Sequence, residues 1–450
     1  MRTIGIIAEY NPFHNGHAHQ LRQVRDRFGK DTAVIAVMSG SWVQRGEPAL
    51  LDKWARTRSA LASGVNLVIE LPAVFATGSA GFFAAGGVRT LAATGVCNHL
   101  CFGSECGELE PLRTLADLLL HEPPELSSAV QQALRDGLAG GAAWSRAISR
   151  YLEEQGTAAP LSGEAAAAVL SGANNWLGIE YLKAIAIHLD GRMKATAFLR
   201  EGSAYGDDLF SAKPAASSRR DPAEYKKTLP SALALRTLFR KYAAGDRTAA
   251  LVQALIAGTP ATSAGELLAA RRNGSLLLPG AAGTCAYTRL LSASAEELAE
   301  TDNSSAELAN RLKQTVRSLA VKSRTPDAGA LWDALTQQAS GRNFPLTKIQ
   351  RVLTALLLGI RRSDREDAQA AGPQYLRILG FDKKGRYLLR LMREHARLPV
   401  LTRQSDFLEH GHAGPAFERQ AGLDRIADSF RAVLAGQNPA DDFDTSVVIL

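Results

Sequence analysis

The first hundred residues alternate between short apolar runs and helix-spaced segments, and this alternation restricts the fold more than any other feature of the chain. Residues 3–8 (TIGIIA) make a β-branched run suited to one buried strand. Residues 32–38 (TAVIAVM), 65–71 (VNLVIEL) and 97–102 (CNHLCF) repeat the pattern. Between the runs, residues 16–28 place Leu21, Val24 and Phe28 on one helical side, and residues 52–63 have Asp52 near their start and Gly64 to stop them. Residues 82–93 suit a third helix. Strand, helix, strand, helix predicts a parallel sheet with right-handed crossovers. Ligands of such sheets sit beyond the carboxyl ends of the strands. That rule gathers residues 9–17, 39–45 and 103–105 around one crevice.

Further along, residues 109–150 turn helical, and an Ala, Gly and Ser segment (156–173) leads into NNWLGIEYLKAI, a helix starting near Asn174. Residues 193–200 (MKATAFLR) read as another strand, and the polar, Pro-containing residues 201–230 as a long loop. Helical spacing then dominates from Ser231 to about Met392. The expected fold is α/β: a Rossmann-like parallel-sheet domain over residues 1–240, followed by a mainly α-helical domain over residues 241–450.

Composition narrows the class. With 46% hydrophobic and 22% charged residues the chain is of ordinary globular type. No run approaches the length of a membrane-spanning helix, and MRTIGIIAEYNPFHNGH is too soon polar for a signal peptide. The expectation is a cytoplasmic protein with no membrane partner. Four cysteines make no disulfide framework, and Cys97, Cys101 and Cys106 with His99 lack the paired spacing of a structural zinc site. They read as free thiols, and no metal site is expected from the side chains.

The net charge of +7 is unevenly spread. Residues 341–400 hold 13 Lys or Arg against 5 Asp or Glu, and residues 213–247 contain SSRRD, EYKK and LFRKY. Local basic excess with interleaved Tyr and Phe suits a polyanion such as nucleic acid, although charge alone equally describes a solvated helix surface.

The segment Glu9-Tyr10-Asn11-Pro12-Phe13-His14-Asn15-Gly16-His17 follows the first strand and opens the first helix. A helix N-terminus supplies free backbone N–H groups and partial positive charge, which favour phosphate. Gly16 permits close approach of a nucleotide, and Pro12 fixes the loop before the helix. His14 and His17 are candidate catalytic residues, donating hydrogen bonds as charge builds on an α-phosphate and a leaving pyrophosphate.

His14-Asn15-Gly16-His17 resembles the HIGH signature of the nucleotidyltransferase and class I synthetase superfamily. IIAEYNPFHNGH, VMSGSWVQRGEPALLDKWARTRSAL and GVNLVIELP together resemble the bacterial tRNA(Met) cytidine acetate ligase family. So do FGSE at residues 102–105, NNWLGIEYLKAI, the strand ending at Arg200, and more weakly PLTKIQRVLTALLLGI and YLRILGFDKKGRYLL. The resemblance implies a HIGH-type ATP site formed by Ile6, Ile7, Ala8, Glu9, Tyr10, Asn11, Pro12, Phe13, His14, Asn15, Gly16, His17, Ala18 and His19, with Gly103, Asn174 and Arg200. Asn174 would read a base or ribose edge and Arg200 would neutralise phosphate. Lys53 and Arg56 could bind pyrophosphate from the crevice wall, and Ser231 to Arg236 resembles a serine-arginine motif for the triphosphate. Three features depart from the family: Asn66 in place of Asp, Gly206 in place of a His after Tyr205, and a long loop over 201–230.

The implied reaction joins ATP, Mg²⁺ and acetate into acetyl-adenylate, then acetylates the exocyclic amine of the wobble cytidine in elongator tRNA(Met). Candidate RNA contacts are Lys348, Arg351, Arg377, Lys383, Lys384 and Arg386. Two alternatives stay open at the level of residues. A metabolite adenylyltransferase would share the HIGH site without needing a basic helical half, and a nucleotide-sensing RNA-binding protein would bind without turnover.

Overall fold

A computed structural model describes residues 1–138, 140–156, 159–200, 230–242, 248–278, 280–320, 327–410, 413–440 and 445–450. The expected 201–230 loop, Gly206 and much of the 213–247 basic stretch lie outside the described residues. The strands are β1 (Thr3–Ala8), β2 (Ala33–Ser39), β3 (Trp42–Val43), β4 (Glu47–Pro48), β5 (Leu67–Leu71), β6 (His99–Ser104), β7 (Lys194–Leu199), β8 (Leu376–Phe381), β9 (Val400–Leu401) and β10 (Val448–Ile449). Eight of them form one sheet in the order β10-β8-β5-β2-β1-β6-β7, with β9 beside β8, while β3 and β4 make a separate hairpin. The pairs β1–β2, β2–β5, β1–β6 and β6–β7 are all parallel, as the strand-helix alternation predicted.

Every residue of β2 is buried, which is why the run reads as continuously apolar rather than alternating. Its alternate side chains still part to opposite faces. Val34, Ala36 and Met38 join a cluster with Leu21 and Val24 of the helix Asn15–Phe28. Ile35 and Val37 join a larger one with Phe83, Val88 and Leu91 of the helix Ala80–Ala93. The sheet is therefore covered on both sides, as a parallel sheet must be. Asp52 caps the helix Lys53–Ala62 through the Ala55 N–H at 2.7 Å.

One element differs from the sequence expectation. Residues 376–381, read as part of a helical stretch, form β8, which pairs antiparallel with β5. The run LRILGF shows no alternation because all six positions are buried, and periodicity cannot separate such a run from a helix. Through β8, β9 and β10 the residues beyond 240 rejoin the first sheet. No helix among the described residues is long and apolar enough to cross a membrane.

Candidate active site

From β1 the chain builds β2 and β5 on one side and β6 and β7 on the other. The crossovers diverge at the carboxyl ends of β1 and β6, and a ligand crevice forms at such a switch point. A cavity of about 430 Å³ opens there.

His14 caps the helix Asn15–Phe28. Its Nδ1 accepts the Gly16 N–H at 3.0 Å, while His17 Nδ1 accepts the His14 backbone N–H at 3.2 Å. The two rings stack with centroids 3.8 Å apart, and Tyr10 meets His17 edge-on at 4.9 Å. An acceptor Nδ1 requires the proton of a neutral imidazole to sit on Nε2. Burial, helped by the charges of Arg200 and Arg236, pushes the His14 pKa down to about 3. Burial, the charge of His14 and that of Arg200 lower His17 well below its ordinary value. Both rings are thus neutral Nε2–H donors near pH 7.

The loop is held by groups distant in sequence. Arg236 Nη1 donates to the Asn11 carbonyl at 2.8 Å and Ser263 Oγ to that of Phe13 at 2.7 Å. Asn11 Oδ1 accepts the Leu50 N–H at 2.8 Å, and Asn15 Nδ2 donates to the Ala257 carbonyl at 2.8 Å. The helical region beyond residue 230 therefore fixes the shape of the HIGH segment.

The opposite wall is a chain of polar contacts. Arg200 Nη1 donates to Asn174 Oδ1 at 2.6 Å, and Asn174 Nδ2 donates to Glu105 Oε1 at 2.6 Å. Glu105 also accepts the Asn174 and Asn175 N–H groups at 3.1 and 2.8 Å. It serves as the missing cap of the helix Ala173–Leu189, which has no side-chain cap of its own. A Cβ on Gly103, which lies within β6, would stand 2.9 Å from Arg200 Cγ, so glycine there lets Arg200 lie against the strand.

Of the expected nucleotide contacts, Ile7, Ala8, Glu9, Tyr10, Asn11, His14, Gly16, His17, His19, Gly103, Asn174 and Arg200 line the cavity, together with Ser231 and Arg236. The other five face elsewhere. Ile6 and Phe13 pack in the core with Ala18 against them, Pro12 is buried in the loop, and Asn15 is tied to Ala257. Sequence reasoning missed Phe83, Phe102, Leu177 and Tyr181, which form an apolar floor, and Thr347, which reaches the cavity from the helix Leu346–Leu358. Arg351 of that helix, expected on the RNA surface, lines the same cavity.

Three expected roles are corrected. Lys53 is fully buried, with Nζ 3.0 Å from Glu70 Oε2 and 2.6 Å from Asp428 Oδ2. Arg56 is equally buried and donates to the carbonyls of Leu51, Glu9, Ser39 and Gly40. Neither faces the crevice. Arg377 joins the same buried cluster, 3.2 Å from Glu70 and 3.1 Å from Asp428, so it offers nothing to RNA. Asn66 also has a structural role at the amino ends of the strands, accepting the Val34 N–H and donating to Asp382.

The model of the HIGH Nucleotidyl Transferase family matches residues 1–442. The tRNA(Met) cytidine acetate ligase of Acetivibrio thermocellus is 30% identical over 457 residues, covering 100% of both chains. That of Syntrophotalea carbinolica is 37% identical over 406 residues, or 90% of this chain and 85% of the relative. Among solved structures, Thermotoga maritima TmcAL bound with alpha-thio ATP matches with a TM-score of 0.83 at 28% identity, covering 100% of each chain.

Proposed function

This chain belongs to the HIGH nucleotidyl transferase family and, within it, to the tRNA(Met) cytidine acetate ligases, and from that premise we propose that it makes acetyl-adenylate from ATP and acetate and acetylates the N4 amine of the wobble cytidine in elongator tRNA(Met). The observation that carries the reading is the stacked pair His14 and His17. Both are neutral, with Nδ1 committed to the backbone and Nε2–H available, and both line a cavity at the switch point of the sheet.

An acetate oxygen attacks the α-phosphorus of ATP, and pyrophosphate leaves from the opposite side. His14 and His17 donate Nε2–H bonds where negative charge accumulates, without having to lose or gain a proton. The N-terminus of the helix Asn15–Phe28 adds its partial positive charge. Arg200 and Arg236 sit close enough to act on His14 electrostatically, which places them for the phosphates. Asn174, tied to Glu105 and Arg200, orients the arginine fork rather than reading a base with a free amide. Glu9 is the one carboxylate among the described residues lining the cavity. That donor set fits a Mg²⁺ carried on the triphosphate, where it would neutralise phosphate charge, rather than an all-protein metal cage.

In the second half-reaction the cytidine amine attacks the acyl carbon, a C–N bond forms, the mixed anhydride C–O bond breaks, AMP departs with the electron pair, and the proton shed by the nitrogen passes to solvent. A neutral exocyclic amine is a poor nucleophile, so positioning contributes more than activation. ATP and tRNA place the reaction in the cytoplasm. The residues beyond about 240 then supply the basic surface that receives RNA, while β8, β9 and β10 complete the sheet of the nucleotide-activating part.

Radiolabelled acetate, ATP and bulk bacterial tRNA, followed by nucleoside analysis, test this directly. Label in N4-acetylcytidine is the expected result. AMP transfer to a small metabolite would favour an adenylyltransferase, and tRNA binding without acetate-dependent pyrophosphate would favour a binding protein.

A further inference from the structure

Four arginines line the cavity, Arg45, Arg200, Arg236 and Arg351, against Glu9, the one carboxylate among the described residues that line it. They fall into two sets. Arg200 and Arg236 lower the pKa of His14 through their charge, so they flank the HIGH histidines. Arg45 acts on the buried Glu47 carboxyl beside Arg236 and Arg240, and Arg351 stands on the helix that packs against the same hairpin. Burial lowers the proton affinity of Arg351, the charges of Arg365 and Arg45 act in the same direction, and the carboxylate of Asp302 opposes them.

The second set is built across the two halves of the chain. Arg45 stands in the turn between β3 and β4, and Arg351 in the helix Leu346–Leu358. Hairpin and helix touch backbone to backbone. A Cβ on Gly46, which also has a φ of +77°, would lie 2.5 Å from the Gln350 carbonyl carbon and 2.6 Å from the Arg351 nitrogen. Gln350 Nε2 further donates to Glu47 Oε1 at 3.2 Å. The two arginines are thereby held at a fixed relation to each other. Arg351 Nε is buried and has no hydrogen-bond partner among the described residues. Leaving a buried guanidinium donor unmet is costly, which marks it as a group awaiting an anion. Thr347, one turn earlier on the same side, shares the cavity wall, and Lys348 lies on the adjoining turn.

We propose that Arg45 and Arg351 form a second phosphate subsite, which holds the RNA backbone phosphate next to the nucleotide being acetylated. The triphosphate has its own donors in His14, His17, the helix N-terminus, Arg200 and Arg236. A cytidine extruded into the cavity brings a phosphate on each side, and these need cations at the mouth. A forked guanidinium meets a phosphodiester through two parallel N–H bonds. The subsite rests on the acetyl-transfer reading for its purpose, but its test reads binding and does not require turnover.

The experiment compares the full chain with Arg351→Ala, Arg351→Lys and Arg45→Ala. Affinity for an unmodified elongator tRNA(Met) transcript is measured across 50–200 mM salt, and ATP affinity by calorimetry. Each alanine variant is expected to weaken tRNA binding by about tenfold and to reduce the salt slope by roughly 0.7–0.9, with ATP affinity within about twofold of wild type. Arg351→Lys keeps the charge but not the fork and should fall between. Arg351→Ala removes no side-chain hydrogen bond among the described residues, so an unchanged melting temperature is expected to accompany the loss. Unchanged tRNA affinity and salt slope in the alanine variants would overturn the proposal. So would a loss of ATP affinity, alone or with RNA affinity, because it would assign the arginines to the triphosphate. Failure of the wild type to acetylate tRNA would count against the proposed reaction, and the binding comparison would still decide the subsite.

Discussion

His17 Nδ1 accepts the backbone N–H of His14 at 3.2 Å, and this contact leaves Nε2 as the ring nitrogen able to donate to phosphate. The same bond closes a reciprocal cap on the helix Asn15–Phe28. His17→Ala should therefore act twice. Loss of a preorganised donor should reduce acetate-dependent pyrophosphate release by about 100- to 1000-fold, and loss of the cap should cost about 1 kcal/mol of stability. Turnover near wild type would remove His17 from the chemistry.

The neutrality of these rings sets a pH dependence of stability. The His14 pKa is about 3 in the fold against about 6.5 in an unfolded chain. Between those values the unfolded chain binds the extra proton, so stability is fully present above pH 6.5 and is lost as pH falls toward 3. The slope is at most about 1.4 kcal/mol per pH unit for each such group. Thermal melts at pH 5 and pH 7 should show a smaller acid shift for His14→Asn than for wild type. Equal shifts would mean that this ring is not held neutral.

Gly103→Val tests the opposite wall. The new side chain would meet Arg200 first, since even a Cβ would approach its Cγ to 2.9 Å. Displacing that guanidinium also breaks its 2.6 Å bond to Asn174. The ATP dissociation constant should rise about tenfold or more, the worth of a charge-assisted contact, while tRNA affinity holds. Equal ATP affinity by calorimetry would show that Arg200 can move without consequence.

The parallel sheet and the placing of the HIGH segment were legible because strand period, helix spacing and the switch-point rule all depend on local pattern. Lys53 and Arg56 were misplaced for a long-range reason. Their partners are Glu70, Asp428 and backbone carbonyls of residues 9 and 39, and nothing in the run DKWAR marks a cation whose counter-ion lies 375 residues away. Glu105 was missed as the cap for Asn174 and Asn175 because the pairing spans about 70 positions. Arg351 read as surface because the basic composition of its segment masks the one helical face that turns to the cavity.

The buried cluster yields a stability prediction. Lys53→Met would take a buried cation away from Glu70 and Asp428, both nearly inaccessible, while Arg377 and the Ser41 hydroxyl stay beside them. Breaking one partner of a buried network costs about 3–5 kcal/mol, so a fall in melting temperature of many degrees is expected. Glu154→Ala, at the exposed pair with Arg150, should change it little. Comparable effects from the two substitutions would show that the cluster is not what fastens the helix Pro415–Leu434 to the sheet.

Lys383 and Arg386 line a second, larger hollow of about 1080 Å³ with Arg390, Arg393 and Arg403, and the described residues lining it include no carboxylate. Arg390 lies over the Tyr387 ring at 5.0 Å and Arg386 over Phe381 at 5.9 Å, the mixture of cation and aromatic face that suits RNA. The hollow begins at the amino ends of the parallel strands, since the Asp382 N–H bonds the Asn66 carbonyl and Lys384 Nζ the Lys30 carbonyl. The nucleotide cavity is at their carboxyl ends, roughly 20 Å away for strands of this length. One cytidine cannot touch both, but a folded tRNA spans that distance easily. Replacing Lys383, Lys384 and Arg386 together with Ala should weaken full-length tRNA binding and flatten its salt dependence, because each lost phosphate contact reduces counterion release. A short anticodon stem-loop should lose much less. Acetate-dependent pyrophosphate release should continue, since the ATP cavity is untouched. Full-length tRNA bound as tightly as by wild type across salt would show that this hollow is only a solvated surface, and would leave Arg45 and Arg351 as the RNA-facing charges identified among the described residues lining the cavity.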